Sequence, residues 1–427
     1  MLDLKNKRVS LIGYGLSNKS LCDFLLKGGA NVTVHCPEKC SLPAGVDGVF
    51  GEGYLKELGD IVFRSPGVRP DKIDKISHTE AELALNMTDA CKIGITGSDG
   101  KTTTCTLAYL MLSRGGKGAF LGGNIGKPLI GISPLLRKGD FLVAELSSFQ
   151  LFGASLRLDV GAITGITQNH LDWHRDMEEY AHAKESILKK AKRQVLNYDD
   201  PLVRSLGKRG CVYFSLRDCT ELIDTGCDFV HIVNGQILYN RHSLFPLSSV
   251  ALKGDFNVQN VLCAIGCVYP FVDKDAMHAV AREFCGVENR MESVLTLGGV
   301  EFICSAIDST PSRTLKTLSA FDPKNVIAIL GGYDKNLDYE CLRKTLNRVK
   351  AIVLCGENRG KIERCVDRHV INVNTLKEAT EVAYGLSCPG DFVILTPASA
   401  SFDMFKNYKE KAICFKNAVR GLKNGKN

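Results

Sequence analysis

Short apolar runs of strand length alternate with longer helix-like segments along almost the whole chain. Residues 141–146 and 325–332 are typical runs, and each is apolar without regular polar alternation. Such continuous runs are characteristic of strands that are buried on both faces of a parallel sheet. The alternation of these runs with helical segments therefore predicts an α/β fold built on parallel sheets.

The apolar runs fall into three blocks, and 427 residues are too many for one ordinary core. We therefore predict three domains, which span residues 1–88, 89–288 and 289–427. Glycines and small residues follow directly after most of the predicted strands. Because ligands collect at the carboxyl ends of strands in open α/β sheets, all three blocks are expected to bind ligands there.

The first strand of the second block runs into a glycine-rich turn that ends in Gly-Lys-Thr. Gly97 and Gly100 allow successive N–H groups to face one anion, and Lys101 and Thr102 begin a helix whose amino end attracts negative charge. In a nucleotide-binding loop, the lysine reaches the phosphates and the threonine hydroxyl binds Mg²⁺. The strict pattern has a further glycine where this chain has Ile95, so we predict a variant phosphate loop. The alternative is an ordinary strand-to-helix turn.

Composition narrows the class of protein. Apolar residues make up 44% of the chain and charged residues 24%, which is typical of a globular protein with a large core. No apolar stretch reaches the length of about 18 residues that a membrane span needs, and residues 1–7 lack the layout of a signal peptide. We expect a cytoplasmic protein without membrane insertion.

Charge and cysteine usage argue against a nucleic-acid-binding protein and against a disulfide-bonded framework. The net charge of +7 is spread along the chain without a long basic block, so a nucleic-acid partner is poorly supported, whereas a polyanionic small substrate is compatible. The 17 cysteines are scattered through predicted strands and helices, which favours reduced, buried thiols. Beside the close pairs Cys36/Cys40 and Cys263/Cys267, no second pair with histidines stands at zinc spacing, so a zinc site is not expected.

Polar groups at other strand ends add candidate chemistry. Gly13 and Gly15 lie in the first turn of the first block but lack the third glycine of a dinucleotide-binding motif, so this turn suits a phosphate or uridine-like group better than a redox cofactor.

Glu145 ends a strand of the second block, and His170 follows another. Beside a phosphate loop Glu145 would bind Mg²⁺. Either residue alone could instead be a structural polar group.

Several motifs, in this order and spacing, resemble those of the Mur ligases over essentially the full chain. They are Thr-Gly-Ser-Asp-Gly-Lys-Thr-Thr at 96–103, Glu-Leu-Ser-Ser-Phe-Gln-Leu at 145–151, Asn-His-Leu-Asp-Trp-His at 169–174, Tyr-Ala-His-Ala-Lys at 180–184, Gly-Asp-Phe-Asn-Val-Gln-Asn at 254–260 and Asn-Arg-Met-Glu at 289–292. The resemblance implies a Rossmann-like N-terminal domain, a central ATPase-type domain and a Rossmann-like C-terminal domain.

The family's reaction is ATP-driven amide formation through an acyl phosphate. Residues 146–151 and 397–408 look most like those of members that add D-glutamate to UDP-N-acetylmuramoyl-L-alanine in peptidoglycan precursor synthesis. The resemblance therefore implies these two substrates, ATP and two Mg²⁺ ions, and we expect a monomer. Two alternatives stay open. One is a related ligase with another acceptor, such as a folylpolyglutamate-type enzyme, and the other is a non-catalytic nucleotide-binding regulator.

The resemblance assigns catalytic roles to Lys101, His170 and Lys184, and metal binding to Thr102, Glu145, His170 and Lys184. Lys184 matches the family's lysine that reacts with CO₂ to form a carbamate, an anionic oxygen ligand. That reaction requires a neutral amine, which burial or nearby cations favour. The alternative for Lys184 is a solvated helix lysine, as we expect for Lys189, Lys190 and Lys192.

The remaining assignments also follow from the resemblance. The ATP site comprises Thr96, Gly97, Ser98, Asp99, Gly100, Lys101, Thr102, Thr103, Asn257, Asn260 and Arg290. The UDP-substrate site comprises Gly15, Leu16, Ser17, Asn18 and Asn124. The D-glutamate site comprises Ser309, Lys335, Ser401, Phe402 and Tyr408. Alternatively, Asn257 and Asn260 are helix-cap or buried amides, and Asn124 is a left-handed turn residue.

The chain departs from the family pattern at three points. Asn289 replaces the histidine that usually precedes Arg290. The acid of a customary Asn-Asp-Ser segment falls on Ser305, with Asp308 nearby as a possible substitute. The acid that commonly ends the second strand of the first domain, where it contacts ribose or uracil, falls on Cys36 or His35, and neither is a carboxylate.

Overall fold

A computed structural model describes residues 4–171 and 173–422. These residues form two compact units. The first combines residues up to 250 with 256–283, and the second combines 251–255 with the residues from 284 onward. The first unit contains a five-stranded and a nine-stranded sheet, and the second contains a six-stranded sheet. The predicted boundaries at residues 88 and 288 stay predictions.

The five-stranded sheet is entirely parallel, with strand order β3-β2-β1-β4-β5. Its strands are β1 (Arg8–Ile12), β2 (Asn31–Cys36), β3 (Asp47–Phe50), β4 (Ile61–Arg64) and β5 (Ser77–His78), and its helices are α1 (Leu16–Lys27) and α2 (Glu80–Met87). Buried Leu11, Leu21, Leu25 and Val34 pack between sheet and helix. Because β1 lies between β2 and β4, the chain crosses over at the turn after β1.

The nine-stranded sheet has the order β14-β13-β12-β11-β10-β9-β6-β8-β7, and β13 and β14 join it as an antiparallel edge. Its strands are β6 (Cys91–Thr96), β7 (Ala119–Gly123), β8 (Phe141–Glu145), β9 (Leu158–Ile163), β10 (Ala191–Asn197), β11 (Val212–Phe214), β12 (Asp228–Val233), β13 (Gln236–Tyr239) and β14 (His242–Pro246). The associated helices are α3 (Lys101–Arg114), α4 (Ser148–Leu151), α5 (Met177–Glu185), α6 (Pro201–Ser205), α7 (Asp255–Val268) and α8 (Lys274–Glu283).

The second unit has the strand order β15-β16-β20-β17-β18-β19, in which only β15 is antiparallel to its neighbour. Its strands are β15 (Glu292–Leu297), β16 (Val300–Cys304), β17 (Val326–Leu330), β18 (Ala351–Cys355), β19 (Ile371–Val373) and β20 (Phe392–Leu395). Its helices are α9 (Pro311–Leu318), α10 (Arg343–Leu346), α11 (Arg359–Arg364), α12 (Leu376–Gly385) and α13 (Tyr408–Leu422). Phe302, Ile329 and Phe415 lie in its core.

The predicted α/β fold class is confirmed, since parallel strands dominate all three sheets. The apolar runs did not predict the antiparallel edges formed by β13, β14 and β15. Within the described ranges, no helix combines the length and the apolar character required to cross a lipid bilayer.

Arg64, at the end of β4, links the first sheet to the turn around α4. Its side chain is 1% exposed. The guanidinium donates to the carbonyl oxygens of Val68 at 3.1 Å, Phe149 at 3.2 Å and Phe152 at 2.5 Å. Burial lowers the pKa of Arg64 to about 10. A buried cation of this kind is tolerated because several carbonyl dipoles surround it.

Arg64→Met should lower the free energy of unfolding of the first unit by about 3 kcal/mol, because it leaves three partly buried carbonyl oxygens without their donor. Urea unfolding followed by the fluorescence of Trp173, the single tryptophan, measures this change. Arg8→Met is the control, because Arg8 forms only an exposed ion pair with Asp60 at 2.7 Å. Equal transitions for the two variants would contradict the proposed role of Arg64.

Candidate functional site

The glycine-rich turn between β6 and α3 has a backbone that only glycine adopts readily. Gly97 has a φ of 153° and Gly100 a φ of 78°. An added β-carbon would lie 1.8 Å from the Thr164 hydroxyl oxygen at Gly97 and 2.1 Å from the Asn260 amide oxygen at Gly100. Ile95, where the strict motif has glycine, is a fully buried residue of β6. The first N–H groups of α3 lack intrahelical partners, so the turn and the helix together form an anion-binding geometry.

Two lysines share one carbonyl oxygen of this turn. Lys101 Nζ donates to Gly97 O at 2.7 Å and to Ser98 O at 3.0 Å. Lys184 Nζ, from α5, donates to Gly97 O at 2.8 Å and lies 4.6 Å from the centre of the Tyr180 ring. Lys184 is only 1% exposed, which contradicts the solvated alternative, whereas Lys189, Lys190 and Lys192 are exposed as predicted.

The surroundings of Lys184 favour its neutral form. Burial lowers the pKa of Lys184 well below its ordinary value, and the charge of Lys101 lowers it further, although Asp99 acts in the opposite direction. An uncharged amine has a free electron pair and can act as a nucleophile. The geometry therefore supplies the condition that carbamate formation requires.

Glu145 ends β8 and meets two neutral donors. The Thr102 hydroxyl donates to Glu145 Oε2 at 2.8 Å, and Asn124 Nδ2 donates to Glu145 Oε1 at 2.8 Å. Glu145 is 2% exposed. The left-handed conformation in this turn falls on Gly123, with a φ of 105°, and not on Asn124. A buried carboxylate beside a threonine hydroxyl at a phosphate loop has the oxygen chemistry that Mg²⁺ prefers, so these residues fit the predicted ion.

His170 lies in the loop between β9 and α5. It has a φ of 55°, and its ring packs edge-on against Phe149, with 4.9 Å between the ring centres. A non-glycine residue in this conformation is strained, and such strain is common at functional sites. In the described part of the chain, no three His, Cys, Asp or Glu side chains form a metal-binding group. The predicted metal set contains only two such residues, so it depends on oxygen ligands from Thr102 and Lys184.

His174 is a buried residue of this loop, and it belongs to the 169–174 motif without a predicted role of its own. Its Nε2 lies 2.9 Å from Ser148 Oγ, and its ring stacks on Phe149 at 5.7 Å. Burial lowers the pKa of His174, while Glu179 opposes this effect. The ring supports Phe149, which in turn contacts His170.

Arg69 also fixes the His170 loop, and no sequence motif indicated it. Its guanidinium donates to Trp173 O at 2.6 Å and to both carboxylate oxygens of Glu179. It also lies 5.0 Å from the Trp173 ring centre. The Trp173 indole donates to Gly67 O at 2.8 Å. Residues that follow β4 thus hold the loop that carries His170.

The other predicted ATP residues of the first unit surround the same turn. Thr96 Oγ1 donates to Leu146 O at 2.7 Å, and Ser98 Oγ lies 2.9 Å from Tyr180 OH. The carbonyl of Asp99 accepts from Thr164 Oγ1 at 2.5 Å. Thr103 is half-buried on the first turn of α3.

Asn257 and Asn260 lie on α7 and are each 5% exposed. Asn260 Oδ1 accepts from Thr104 Oγ1 at 3.3 Å, and Asn260 Nδ2 lies 3.4 Å from Asn257 Oδ1. Their contacts bring α7 against the turn at Gly100, in agreement with the buried-amide alternative. A ligand role for these two residues stays a prediction.

Four of the five predicted UDP-substrate residues lie in the turn after β1 and at the start of α1, and the fifth, Asn124, directly follows β7. Gly15 and Leu16 are exposed, and Leu16 is 68% exposed. Ser17 is half-buried. Asn18 is fully buried, and its Nδ2 donates to Ile12 O at 3.2 Å and Gly13 O at 2.8 Å. The Asn18 amide therefore holds the turn.

The two residues at the position of the customary acid in β2 are both buried. His35 Nε2 lies 2.9 Å from Ser10 Oγ, and His35 Nδ1 lies 2.7 Å from Tyr54 O. Burial, assisted by Cys40, raises the pKa of Cys36 to about 11. Neither side chain provides the carboxylate that the family pattern has here.

The predicted D-glutamate residues lie in loops of the second unit, except Tyr408, which begins α13. Lys335 is exposed, and its Nζ lies 6.0 Å from the ring centre of Phe402, which is 62% exposed. Ser401 is buried, while Ser309 and Tyr408 are half-buried. The contact between Lys335 and Phe402 joins the loops that follow β17 and β20.

The residues near Arg290 that differ from the family pattern make hydrogen bonds within the second unit. Asn289 is buried, and its N–H donates to Glu292 Oε2 at 2.7 Å. Asp308 accepts hydroxyl hydrogen bonds from Thr317 at 2.7 Å and Thr396 at 2.8 Å, and burial raises its pKa. Ser305 accepts from Met291 N at 3.3 Å. Asp308 thus serves internal hydrogen bonds in this conformation.

The sequence is similar to known proteins over nearly its full length. Residues 95–268 match the Mur ligase middle domain. The chain is 37% identical to UDP-N-acetylmuramoylalanine--D-glutamate ligase from Acetivibrio thermocellus, over 98% of this chain and 97% of that protein. It is 36% identical to the ligase of the same name from Clostridium botulinum strain Okra, over 98% of both chains.

A solved structure has the same fold. UDP-N-acetylmuramate-alanine ligase from Thermotoga maritima matches 98% of this chain and 100% of its own, with a TM-score of 0.61 and 18% identity. The two full-length sequence relatives confirm the predicted family: the chain belongs to the Mur ligases.

Proposed function

We propose that this protein is an ATP-dependent ligase that joins D-glutamate to UDP-N-acetylmuramoyl-L-alanine through an acyl phosphate. The observation that carries the proposal is the convergence of Lys101 and buried Lys184 on the Gly97 carbonyl, beside the Thr102–Glu145 pair. The choice of substrates is supported by the names of the two full-length relatives. The reaction consumes ATP and a nucleotide-linked sugar, and we propose that it takes place in the cytoplasm.

The phosphate loop would bind ATP, with Lys101 directed to the phosphates. In the structure Lys101 instead donates to two neutral backbone carbonyls. A phosphate anion is a stronger acceptor and would replace these contacts. Thr102 and Glu145 would hold Mg²⁺, which supplies charge neutralisation for phosphoryl transfer when it is bound. Asn124 orients the Glu145 carboxylate through its 2.8 Å hydrogen bond.

Lys184 would become an anionic metal ligand by forming a carbamate with CO₂. The amine nitrogen forms a bond to the carbon of CO₂, and one proton leaves to solvent. This step converts the neutral amine of Lys184 into an anion, which attracts the cation of Lys101. His170 would complete the metal site from its strained loop position.

The substrates would occupy the carboxyl edges of the other two sheets. Gly15, Leu16 and Ser17 present the amino end of α1, which suits the diphosphate of the UDP-linked substrate. In the second unit, Lys335 offers a cation and Ser401 a hydroxyl, which are groups that bind the carboxylates of D-glutamate. We propose that Ser309, Phe402 and Tyr408 complete this acceptor site and that the enzyme acts as a monomer.

Purified protein incubated with ATP, Mg²⁺, UDP-N-acetylmuramoyl-L-alanine and a panel of D- and L-amino acids should release phosphate and form product only with D-glutamate. Phosphate release and product mass measure the reaction. Product with a different amino acid would retain the ligase chemistry but refute the proposed acceptor. ATP binding by folded protein without any product would refute the enzyme and favour the nucleotide-binding regulator.

Lys101→Met should lower kcat/KM for ATP at least ~100-fold, because a preorganised charge at the transferred phosphoryl group is lost. Steady-state phosphate release measures this loss. Lys192→Met is the matched control, since the Lys192 side chain is 80% exposed and pairs with Asp159 on the surface. If both variants kept the activity of the native protein, the phosphate-binding role of Lys101 would be wrong.

A further inference from the structure

Cys211 and Cys227 form a close thiol pair away from the candidate ligase site. The Cys211 Sγ–Cys227 Sγ distance is 3.6 Å. Each cysteine comes one residue before a strand, Cys211 before β11 and Cys227 before β12. The pair lies at the amino edge of the nine-stranded sheet, whereas the phosphate loop follows the carboxyl end of β6.

The backbone around the pair has the spacing of a disulfide. The parallel pairing of β11 and β12 continues back past both cysteines, because Asp228 N donates to Cys211 O at 3.0 Å and Gly210 N donates to Gly226 O at 2.8 Å. Neighbouring strands lie about 4.8 Å apart. This separation falls within the range of about 4.4–6.8 Å between the Cα atoms of disulfide-bonded cysteines. Only the sulfur atoms need to approach each other.

The two thiols differ in access and in surroundings. Cys211 is 3% exposed, and burial raises its pKa to about 12 with a contribution from Cys227. Cys227 is half-buried, so a reagent reaches it first. Exposed Lys208 and Arg209 lie close by, and the Arg209 side chain packs against Gly226. The two cations favour a reagent that carries carboxylates.

We propose that Cys211 and Cys227 are a redox-active dithiol that an anionic low-molecular-weight disulfide of the glutathione type oxidises. Cys227 sulfur attacks one sulfur of the reagent, breaks its S–S bond and releases one thiol. Cys211 sulfur then attacks Cys227 sulfur, closes the Cys211–Cys227 disulfide and releases the second thiol. Two electrons pass from the protein to the reagent, and the two cysteine protons leave with the two released thiols.

The test treats the full chain with oxidised glutathione, blocks the remaining thiols by alkylation and maps the products by peptide mass spectrometry. The native protein should form the Cys211–Cys227 disulfide. Cys211→Ser, and equally Cys211→Ala, should trap glutathione on Cys227 at least tenfold more than the native protein does. Cys227→Ser should form neither product. Exposed Cys341 and Cys388 report that the reagent has reached the protein.

Cys263→Ser is the matched control, since Cys263 and Cys267 are a fully buried pair four residues apart on α7. This variant should behave like the native protein at Cys211 and Cys227. Free thiols at both positions while Cys341 and Cys388 carry glutathione would overturn the proposal. A persistent glutathione adduct on Cys227 of the native protein would also overturn it, because Cys211 would then have failed to displace the reagent.

Discussion

The carbonyl oxygen of Gly97 accepts hydrogen bonds from the side-chain nitrogens of Lys101 and Lys184, and the candidate site depends on this shared contact. Two cations held at one oxygen in a buried setting repel each other unless an anion joins them or one of them loses its proton. Both outcomes belong to the proposed chemistry, because Lys101 would meet phosphate and Lys184 would react as a neutral amine. Gly97, whose carbonyl the lysines share, has a φ of 153°, a conformation that residues with a side chain rarely adopt.

The parallel sheet supplies the second condition, since it brings residues that are distant in sequence to one edge. Glu145 pairs in register with Ile95 of β6 and with Gly123 of β7. Its carboxylate therefore lies between the start of α3 and the turn that carries Asn124. The metal-binding chemistry proposed for Glu145 follows from this register.

Sequence patterns predicted the α/β class, the phosphate loop and the position of Glu145 at a strand end, because these features depend on local order. The burial of Lys184 was not predictable from its polar helix, since Tyr180 and the distant Gly97 turn create it. The structural roles of Arg64 and Arg69 were not predictable for the same reason, because most of their hydrogen-bond partners lie far along the chain. The amide of Asn18 holds the turn after β1 through backbone contacts that no motif encodes, and its predicted ligand role stays a prediction.

The charge state and reactivity of Lys184 can be measured directly by ¹³C NMR of the protein equilibrated with ¹³C-labelled bicarbonate near pH 8. The native protein should give a carbamate resonance that is absent from folded Lys184→Gln and retained in Lys189→Gln, where an exposed lysine is changed. A native spectrum without that resonance, or a resonance that persists in Lys184→Gln, would contradict the claim that Lys184 at the Gly97 carbonyl forms a carbamate.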